Sequence, residues 1–377
     1  MSRVPFIGLR IHLDPERSLK GIGNAIGVKV GLIGFGMVAE RFHVPLLRAQ
    51  QSLSLAYVVE RHSDRAAELG LGLVTLRSTE QLLATDVEVV VVLTPNASHF
   101  QLAQQALQAG KHVVVDKPFT VTSAQADELL ELAGSVGKVL TVFHNRRWDN
   151  DFLTLKKLVE EGAVGAVRRL ESRWERYRPL PKGGWREQPV DGTGVLYDLG
   201  SHLIDQMLVL FGTPQRVMAH LQIQREGVAA VDCFDVTFDY GPWQVYLHSD
   251  CLTPVPSHRF ALFGERGSFH KHGLDPQEEA LAAGQLPQGP DWGREDESLW
   301  GTLERVSSEG VSRSERVPTL AGDYSEFYRN LAATLAGHEK LHVTPESARD
   351  VILGIELCLE SHQRGCWLHW PSRAGSA

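Results

Sequence analysis

The 377-residue chain has few cysteines and no uncharged apolar run long enough to span a bilayer. Its four cysteines, Cys233, Cys251, Cys358 and Cys366, are widely separated and form no C-x-x-C pair. Neither a disulfide scaffold nor a zinc site is therefore indicated, and no metal is expected. The reducing cytoplasm is the expected compartment, and a membrane is not an expected partner.

Excess positive charge is also absent, because the formal net charge is -8. Surfaces that bind nucleic acids concentrate positive charge, so nucleic acid is not an expected partner. Residues 168–176 contain four arginines, but Glu171 and Glu175 lie among them, and we interpret this segment as a solvated face of a sheet. His270 and His272 have no third ligand nearby and do not predict a metal site. Small molecules remain as the expected partners.

The length of the chain and its 43% hydrophobic residues favour two domains. We predict an N-terminal leader outside the core at residues 1–27, a nucleotide-binding domain at residues 28–148, and an α+β domain for substrate binding and oligomerisation at residues 149–377. The leader contains only short apolar pieces, unlike a signal peptide.

An apolar run at residues 28–33 leads into Gly34-Phe35-Gly36-Met37-Val38-Ala39, which predicts a strand that turns sharply into a helix. In a dinucleotide site the first glycine permits the turn, the second lets the backbone approach a pyrophosphate, and a small residue keeps the helix close to the strand. Such turns also occur for packing reasons alone. Pro45 is expected to bend or end the helix.

A second predicted strand, residues 53–59, ends at Glu60 and Arg61. An acidic residue at this position can hold the ribose hydroxyls of NAD, whereas an arginine can pair with the 2′-phosphate of NADP. Both are present side by side, so the preference between the two cofactors stays open. A solvated loop pair without a cofactor role is the alternative.

Nearly continuous apolar runs at residues 87–93 and 112–116 alternate with helical segments. This alternation predicts a doubly wound parallel sheet, the Rossmann arrangement, in which ligands lie beyond the carboxyl ends of the strands. Lys117 and Asn145 follow such strand ends. Trp185 and Arg186 lie in a loop rich in proline and glycine and are further candidates to contact the substrate or the nicotinamide.

Asp198 and His202 are four residues apart on a predicted helix that runs to residue 211. They would share one face and could hydrogen-bond directly, although a surface pair has the same spacing. A histidine oriented by a carboxylate suits alcohol oxidation as a base. We predict His202 as the base, Asp198 as its partner and Lys117 as a fixed positive charge at the same oxygen. The division of proton transfer between Lys117 and His202 stays open.

Later segments alternate apolar and polar residues, notably residues 217–223 and 234–240, with a hairpin turn at residues 240–243. They predict long strands in a large open sheet. We expect this half-apolar surface to support a homodimer or homotetramer.

Several of these stretches resemble the Gfo/Idh/MocA family, typified by glucose-fructose oxidoreductase and inositol dehydrogenase. The resemblance runs from residue 28 to residue 370. The stretches are residues 34–39, Thr94-Pro95-Asn96 with His99, residues 110–118 ending in Asp116-Lys117-Pro118, residues 144–146, and Asp198-x-Gly200-x-His202-x-x-Asp205.

The resemblance implies NAD(P) as the cofactor, a catalytic Lys117 and a cis bond from Lys117 to Pro118. It also implies an α+β second domain with a large open, mainly antiparallel sheet. The expected cofactor-binding residues are Gly34, Phe35, Gly36, Met37, Val38, Glu60, Arg61, Thr94, Pro95, Asn96, His99, Asp116, Lys117, Asn145, Trp185 and Arg186.

Residues 145–156, 176–179 and 273–280 resemble the branch with NADP-dependent scyllo-inositol dehydrogenases, although Glu60 replaces the small hydroxyl residue usual in that branch. We therefore predict an NAD(P)-dependent oxidoreductase that acts on a secondary alcohol or ketone of a sugar or cyclitol, a small polyhydroxylated substrate. The alternatives are a non-catalytic NAD(P)-sensing regulator and a reductase of a diol or tetrapyrrole.

Overall fold

In the computed structural model of the protein, residues 27–371 are described and form two β-sheets with helices packed on them. The predicted leader lies outside the described residues except for its last position, Gly27. The predicted domain boundaries stay predictions.

Six strands form the first sheet: β1 Val28–Ile33, β2 Leu53–Val59, β3 Val74–Leu76, β4 Val89–Val92, β5 His112–Val115 and β6 Leu140–Val142. Their order is β3-β2-β1-β4-β5-β6, and every neighbouring pair is parallel. All residues of β4 are buried, as expected for a strand covered on both faces. The Rossmann prediction is confirmed.

The helices of this part are α1 Val44–Arg48, α2 Arg65–Glu68, α3 Thr79–Leu83, α4 His99–Gln108 and α5 Ser123–Val136. A π-helical turn, Ala39–His43, runs directly into α1. The helix after the glycine motif therefore does not end at Pro45. Pro45 lies in the first turn of α1, where the missing N–H of proline is tolerated.

Nine strands form the second sheet: β7 Val167–Glu175, β8 Arg216–Gln222, β9 Cys233–Asp239, β10 Gln244–Asp250, β11 Phe260–Gly264, β12 Gly267–Lys271, β13 Gly301–Val306, β14 Ser312–Val317 and β15 Leu368–His369. Their order is β14-β13-β12-β11-β7-β10-β9-β8-β15. All neighbouring pairs are antiparallel except β7 with β10. The predicted open, mainly antiparallel sheet is confirmed, and Tyr240 N donates to Trp243 O at 3.1 Å in the predicted hairpin turn.

The apolar residues of β8 and β9 face the interior of the protein. Val217, Leu221 and Phe238 are buried, whereas His220 and Asp235, on the opposite face, are exposed. Alternation therefore places most apolar side chains of β8 and β9 against the helices, while Tyr246 of β10 is exposed on the other face of the sheet. The homodimer or homotetramer stays a prediction.

The remaining α-helices are α6 Asn150–Glu160, α7 Ser201–Phe211, α8 Gln277–Ala282, α9 Ser325–Leu335 and α10 Pro345–Arg364. In residues 27–371, no helix combines the length and apolar character needed to cross a membrane. Helix α10 connects the two sheets, because Glu356 accepts a hydrogen bond from Ser123 N of α5 at 2.9 Å and Ser361 Oγ accepts one from Ala219 N of β8 at 3.1 Å.

Thr344 caps this connecting helix by accepting a hydrogen bond from Ser347 N at 3.2 Å. Thr344→Ala should lower the free energy of unfolding by about 1 kcal/mol, because the Ser347 N–H loses its acceptor. Thr344→Ser keeps the hydroxyl and should stay within about 0.5 kcal/mol of the unchanged protein in chemical denaturation. Equal losses in both variants would contradict the capping role.

Candidate active site

A cleft of about 450 Å³ lies between residues that follow strands of the first sheet and residues of the second half of the chain. Met37 follows β1, Lys117 follows β5 and Asn145 follows β6, as expected for a ligand site of a parallel sheet. The predicted site residues that line the cleft are Met37, Val38, Asp116, Lys117, Asn145, Trp185, Arg186, Asp198 and His202. Predicted residues from both halves of the chain thus line one cleft, and their roles stay predictions.

The glycine loop has the space that a dinucleotide requires. Gly34 has a φ of +95°, and a Cβ there would lie 3.1 Å from Leu93 O, so a larger residue does not fit. A Cβ on Gly36 would meet no atom within 4 Å, so open space lies in front of this backbone. The first turn of the following helix leaves N–H groups free for an anion. This cradle fits the pyrophosphate of a nicotinamide dinucleotide.

Lys117 reaches across the cleft to the second half of the chain. Its Nζ donates to the backbone oxygen of Asp198 at 2.7 Å and to Asp198 Oδ1 at 2.8 Å. The peptide bond from Lys117 to Pro118 is cis, as the resemblance implied. An ammonium group has three hydrogens, so one donor of Lys117 remains for a ligand.

Asp198 is ionised in this arrangement. Burial alone would raise the pKa of its carboxyl, but the Lys117 ammonium, followed by Arg186 and Arg176, lowers this pKa below its ordinary value. The Nε of Arg186 lies 3.7 Å from Asp198 Oδ1. Asp198 therefore serves as the counter-ion that fixes Lys117.

The predicted hydrogen bond between Asp198 and His202 is wrong. The segment Leu196–Gly200 is π-helical, so the four-residue alignment of an α-helix is not maintained across it. The Asp198 carboxylate turns to Lys117 instead. Within residues 27–371, His202 Nδ1 is buried without a hydrogen-bond partner.

Aromatic packing positions the His202 ring in place of a carboxylate. The ring stacks on Trp174 with 6.4 Å between centroids, and the edge of His144 approaches it at 6.5 Å. Burial, followed by the positive charges of Lys117 and Arg146, lowers the pKa of His202 well below its ordinary value. The imidazole is therefore neutral at physiological pH and lines the cleft beside the Lys117 cation.

Asp205, the last residue of the family-like motif, does not reach the cleft. Arg147 donates to it from Nε at 2.9 Å and from a terminal nitrogen at 2.6 Å. This buried pair fixes the segment Asn145–Trp148 against α7. Asp205 is thus a structural residue that holds the Asn145 wall in place.

The Glu60 carboxylate is also bonded within the protein. It is buried, and its carboxylate accepts hydrogen bonds from Ser63 Oγ at 2.6 Å and from the backbone N–H groups of Arg65 and Ala66, both at 3.0 Å. Its oxygens are thus occupied at the start of α2, so the expected ribose contact stays a prediction that this arrangement does not support. Arg61, next to it, is exposed.

His99 lies between two backbone carbonyl groups. Its ring nitrogens lie 2.8 Å from Thr94 O and 2.9 Å from Pro118 O, and the side chain is fully buried. The ring joins the segments that follow β4 and β5, and the expected cofactor contact of His99 stays a prediction without a free ring nitrogen to support it. Asn96 donates to Gly192 O at 2.5 Å and lines a small pocket that Lys117 and Asp198 share with the main cleft.

Sequence reasoning assigned no role to five arginines of the cleft: Arg41, Arg146, Arg176, Arg178 and Arg225. Arg146 lies 4.3 Å above the Trp174 ring and pairs with Glu278. Arg176 lines the cleft, so the interpretation of residues 168–176 as a solvated face fails at its last residue. The buried Trp174 between the charges was the available signal for a binding wall.

One group of possible metal ligands occurs among the residues that the structure describes: Cys233, Asp235 and His248. Burial, followed by nearby carboxylates, raises the pKa of the Cys233 thiol to about 12. His248 Nδ1 lies 2.8 Å from Asp235 Oδ1, so these two side chains pair with each other. A neutral thiol is a poor metal ligand, and we assign no metal site here.

The Rossmann sheet, the glycine cradle and the cleft with its lysine define a nucleotide-dependent oxidoreductase. Residues 28–144 match the oxidoreductase family with an NAD-binding Rossmann fold, and residues 152–270 match the GFO/IDH/MocA C-terminal domain. The chain belongs to the GFO/IDH/MocA family.

Relatives cover nearly the whole chain. Scyllo-inositol 2-dehydrogenase (NADP(+)) IolW of Bacillus subtilis is 37% identical over 91% of this chain and 96% of its own. The uncharacterized oxidoreductase YdgJ of Escherichia coli is 44% identical over 89% of this chain and 96% of its own. The solved structure of yvaA from Bacillus subtilis has a TM-score of 0.88 at 36% identity, covering 91% of this chain and 98% of its own. The protein is an NAD(P)-dependent dehydrogenase or reductase acting on CH-OH groups.

The position of Glu60 generates a prediction about the cofactor. Glu60→Ser should leave the ratio of kcat/KM values for NAD and NADP unchanged, because the carboxylate does not face the ribose. The same change should lower the free energy of unfolding by about 1–3 kcal/mol, since two backbone donors lose their acceptor. A shift of the kcat/KM ratio toward NADP in Glu60→Ser would contradict this prediction and indicate that Glu60 contacts the cofactor.

Proposed function

We propose that the protein transfers a hydride between nicotinamide and a secondary alcohol or ketone of a polyhydroxylated substrate such as a sugar or cyclitol. The observation that carries this proposal is the Lys117 ammonium, held by Asp198 with one donor left and placed in one cleft with a neutral His202. When bound, the nicotinamide accepts or donates the hydride.

Lys117 acts on the substrate oxygen as a fixed cation. Its two bonds to Asp198 orient the ammonium before the substrate arrives, so little reorganisation is needed as charge develops. In oxidation the remaining N–H stabilises the alkoxide that forms when the hydroxyl loses its proton. In reduction the same N–H polarises the carbonyl.

His202 accepts the hydroxyl proton in oxidation. Since Nδ1 is buried, Nε2 is the nitrogen assigned to the cleft, and the neutral ring required of an acceptor is the dominant form. The nearby cations that lower its pKa also disfavour the imidazolium, so the proton is released onward rather than retained. The proton passes from His202 to water, and Lys117 keeps its own three protons and its charge throughout.

The names of relatives support a polyol substrate. Besides the scyllo-inositol dehydrogenase, the chain is 31% identical over 54% of its length to D-glucoside 3-dehydrogenase of Escherichia coli. A non-catalytic NAD(P) sensor would not require Lys117 and Asp198 to be paired beside an unpartnered histidine. A diol or tetrapyrrole reductase has no specific observation in its favour.

Replacing the proposed acid–base groups tests this function. Lys117→Ala and His202→Ala should each lower kcat with NAD(P) and a polyol by about a hundredfold or more, with cofactor affinity largely kept. Lys111→Ala is a matched control, because Lys111 precedes β5 and lies outside the cleft. Near-normal turnover in both site variants would exclude these roles.

The low pKa of His202 predicts a pH profile. The proton-accepting neutral ring is present above its pKa, so kcat/KM for oxidation should fall as pH drops through that value. Because burial and Lys117 lower this pKa, the fall should occur below about pH 6.5, the ordinary value for histidine. In His202→Ala, the residual kcat/KM for oxidation should not show this fall at low pH. A midpoint at or above about pH 6.5 in the unchanged enzyme would contradict the assignment.

A further inference from the structure

The cleft carries more positive than negative charge, although the whole chain has a net charge of -8. The cationic side chains that line it are Arg41, Lys117, Arg146, Arg176, Arg178, Lys182, Arg186 and Arg225, and the acidic ones are Asp116, Glu187, Asp198, Asp232 and Glu278. Most of these acids already have a cationic partner. The pairs are Lys117 with Asp198, Arg146 with Glu278, and Arg225 with both Asp232 and Glu187.

Three cations on one wall have no acidic partner within hydrogen-bond distance in the described part of the chain: Arg176, Arg178 and Lys182. They lie close enough to repel one another, because Arg178, then partial burial, then Arg176 lower the pKa of the Lys182 ammonium. Crowded like charges are unfavourable unless an anion comes between them. We name this group the cation triad.

The backbone that carries the triad is held in place by a buried arginine. Arg225 donates to Arg178 O at 3.1 Å and lies 2.9 Å from Asp232 and 3.1 Å from Glu187. Glu187 in turn accepts from the backbone N–H of Lys182 at 2.7 Å. Arg178 and Lys182 lie in a segment without helix or strand, and these hydrogen bonds fix its backbone in place.

We propose that Arg176, Arg178 and Lys182 bind a carboxylate or phosphate group of the substrate, so that the enzyme acts on an acidic or phosphorylated polyol. Arginine forms paired hydrogen bonds with both groups, and a lysine adds a point charge. This inference rests on the proposed function, because it takes the occupant of the cleft to be the polyol that reacts at Lys117.

The position of the triad favours the substrate over the cofactor as the source of the anion. The guanidinium of Arg176 lies 5.4 Å from the centre of the Trp174 ring, on which His202 also stacks. Arg176 thus lies beside the ring that packs on the proposed base. The glycine cradle and Arg41, which follows it in the chain and also lines the cleft, are separate groups available for the phosphates of the cofactor.

Matched neutral and acidic substrates test the proposal. Initial rates would be measured with D-glucose, D-glucuronate and D-glucose 6-phosphate, and with myo-inositol and an inositol monophosphate, using NAD and NADP. We expect kcat/KM for an acidic compound to exceed that of its neutral counterpart by about tenfold or more, and the advantage to shrink as salt is added. Equal or greater use of the neutral compounds would overturn the proposal.

A double variant assigns the preference to the triad. Arg178 and Lys182 are exposed, so Arg178→Gln with Lys182→Gln should fold normally and bring the acidic-to-neutral ratio of kcat/KM toward one. Arg313→Gln is the control, because Arg313 is exposed on β14 outside the cleft and should leave the ratio unchanged. An unaltered ratio in the double variant would remove the triad from substrate recognition.

Binding without turnover separates this inference from the proposed function. Tryptophan fluorescence would report binding of the same compounds, since Trp185 lines the cleft. Preferential binding of acidic compounds without any turnover would reject the proposed function and support the anion site. If none of the acidic compounds binds more tightly than its neutral counterpart, the anion site is overturned, whatever the turnover.

The affinity of the double variant for NADP separates substrate from cofactor. If the double variant loses as much affinity for NADP as for the acidic compound, the triad binds the cofactor, and the assignment to the substrate is overturned.

Discussion

The ion pair between Lys117 and Asp198 is the interaction on which the site depends. It joins the carboxyl end of β5 to the π-helical turn before α7, and thus the first half of the chain to the second. The side chains of Lys117 and Asp198 are 17% and 32% exposed, so the pair is partly buried, and removing one partner leaves the other charge without its counter-ion. The cleft and its electrostatics therefore depend on both residues together.

The positive charge of Lys117 favours a charged Asp198 and a neutral His202. Lys117 lowers the pKa of Asp198 against the effect of burial, which keeps that carboxylate charged. Burial, followed by Lys117, lowers the pKa of His202, which keeps that ring neutral. Because the same charge acts on both, a charged donor and a neutral acceptor coexist within one cleft. No hydrogen bond between Asp198 and His202 is needed for this division.

Local signals predicted the fold well. Strand β2 has the predicted bounds, because the pattern of a strand is encoded within a few residues. The hydrogen-bond partners of the site residues could not be predicted. Asp198 pairs with a lysine 81 positions away, which spacing along the chain does not reveal. The Glu60 carboxylate is occupied by N–H groups of its own loop, and the residue types there do not distinguish this from a carboxylate free for a ligand.

Both walls of the cleft contain a π-helical turn. Residues Ala39–His43 carry Arg41 into the cleft, and Leu196–Gly200 carry Asp198 into it. A π-helical turn adds a residue to the helical repeat and shifts every following side chain around the axis, at some cost in hydrogen-bond geometry. In the second wall this shift accompanies the separation of Asp198 from His202 and its engagement with Lys117. Irregular helix geometry is thus retained where the alignment of reacting groups depends on it.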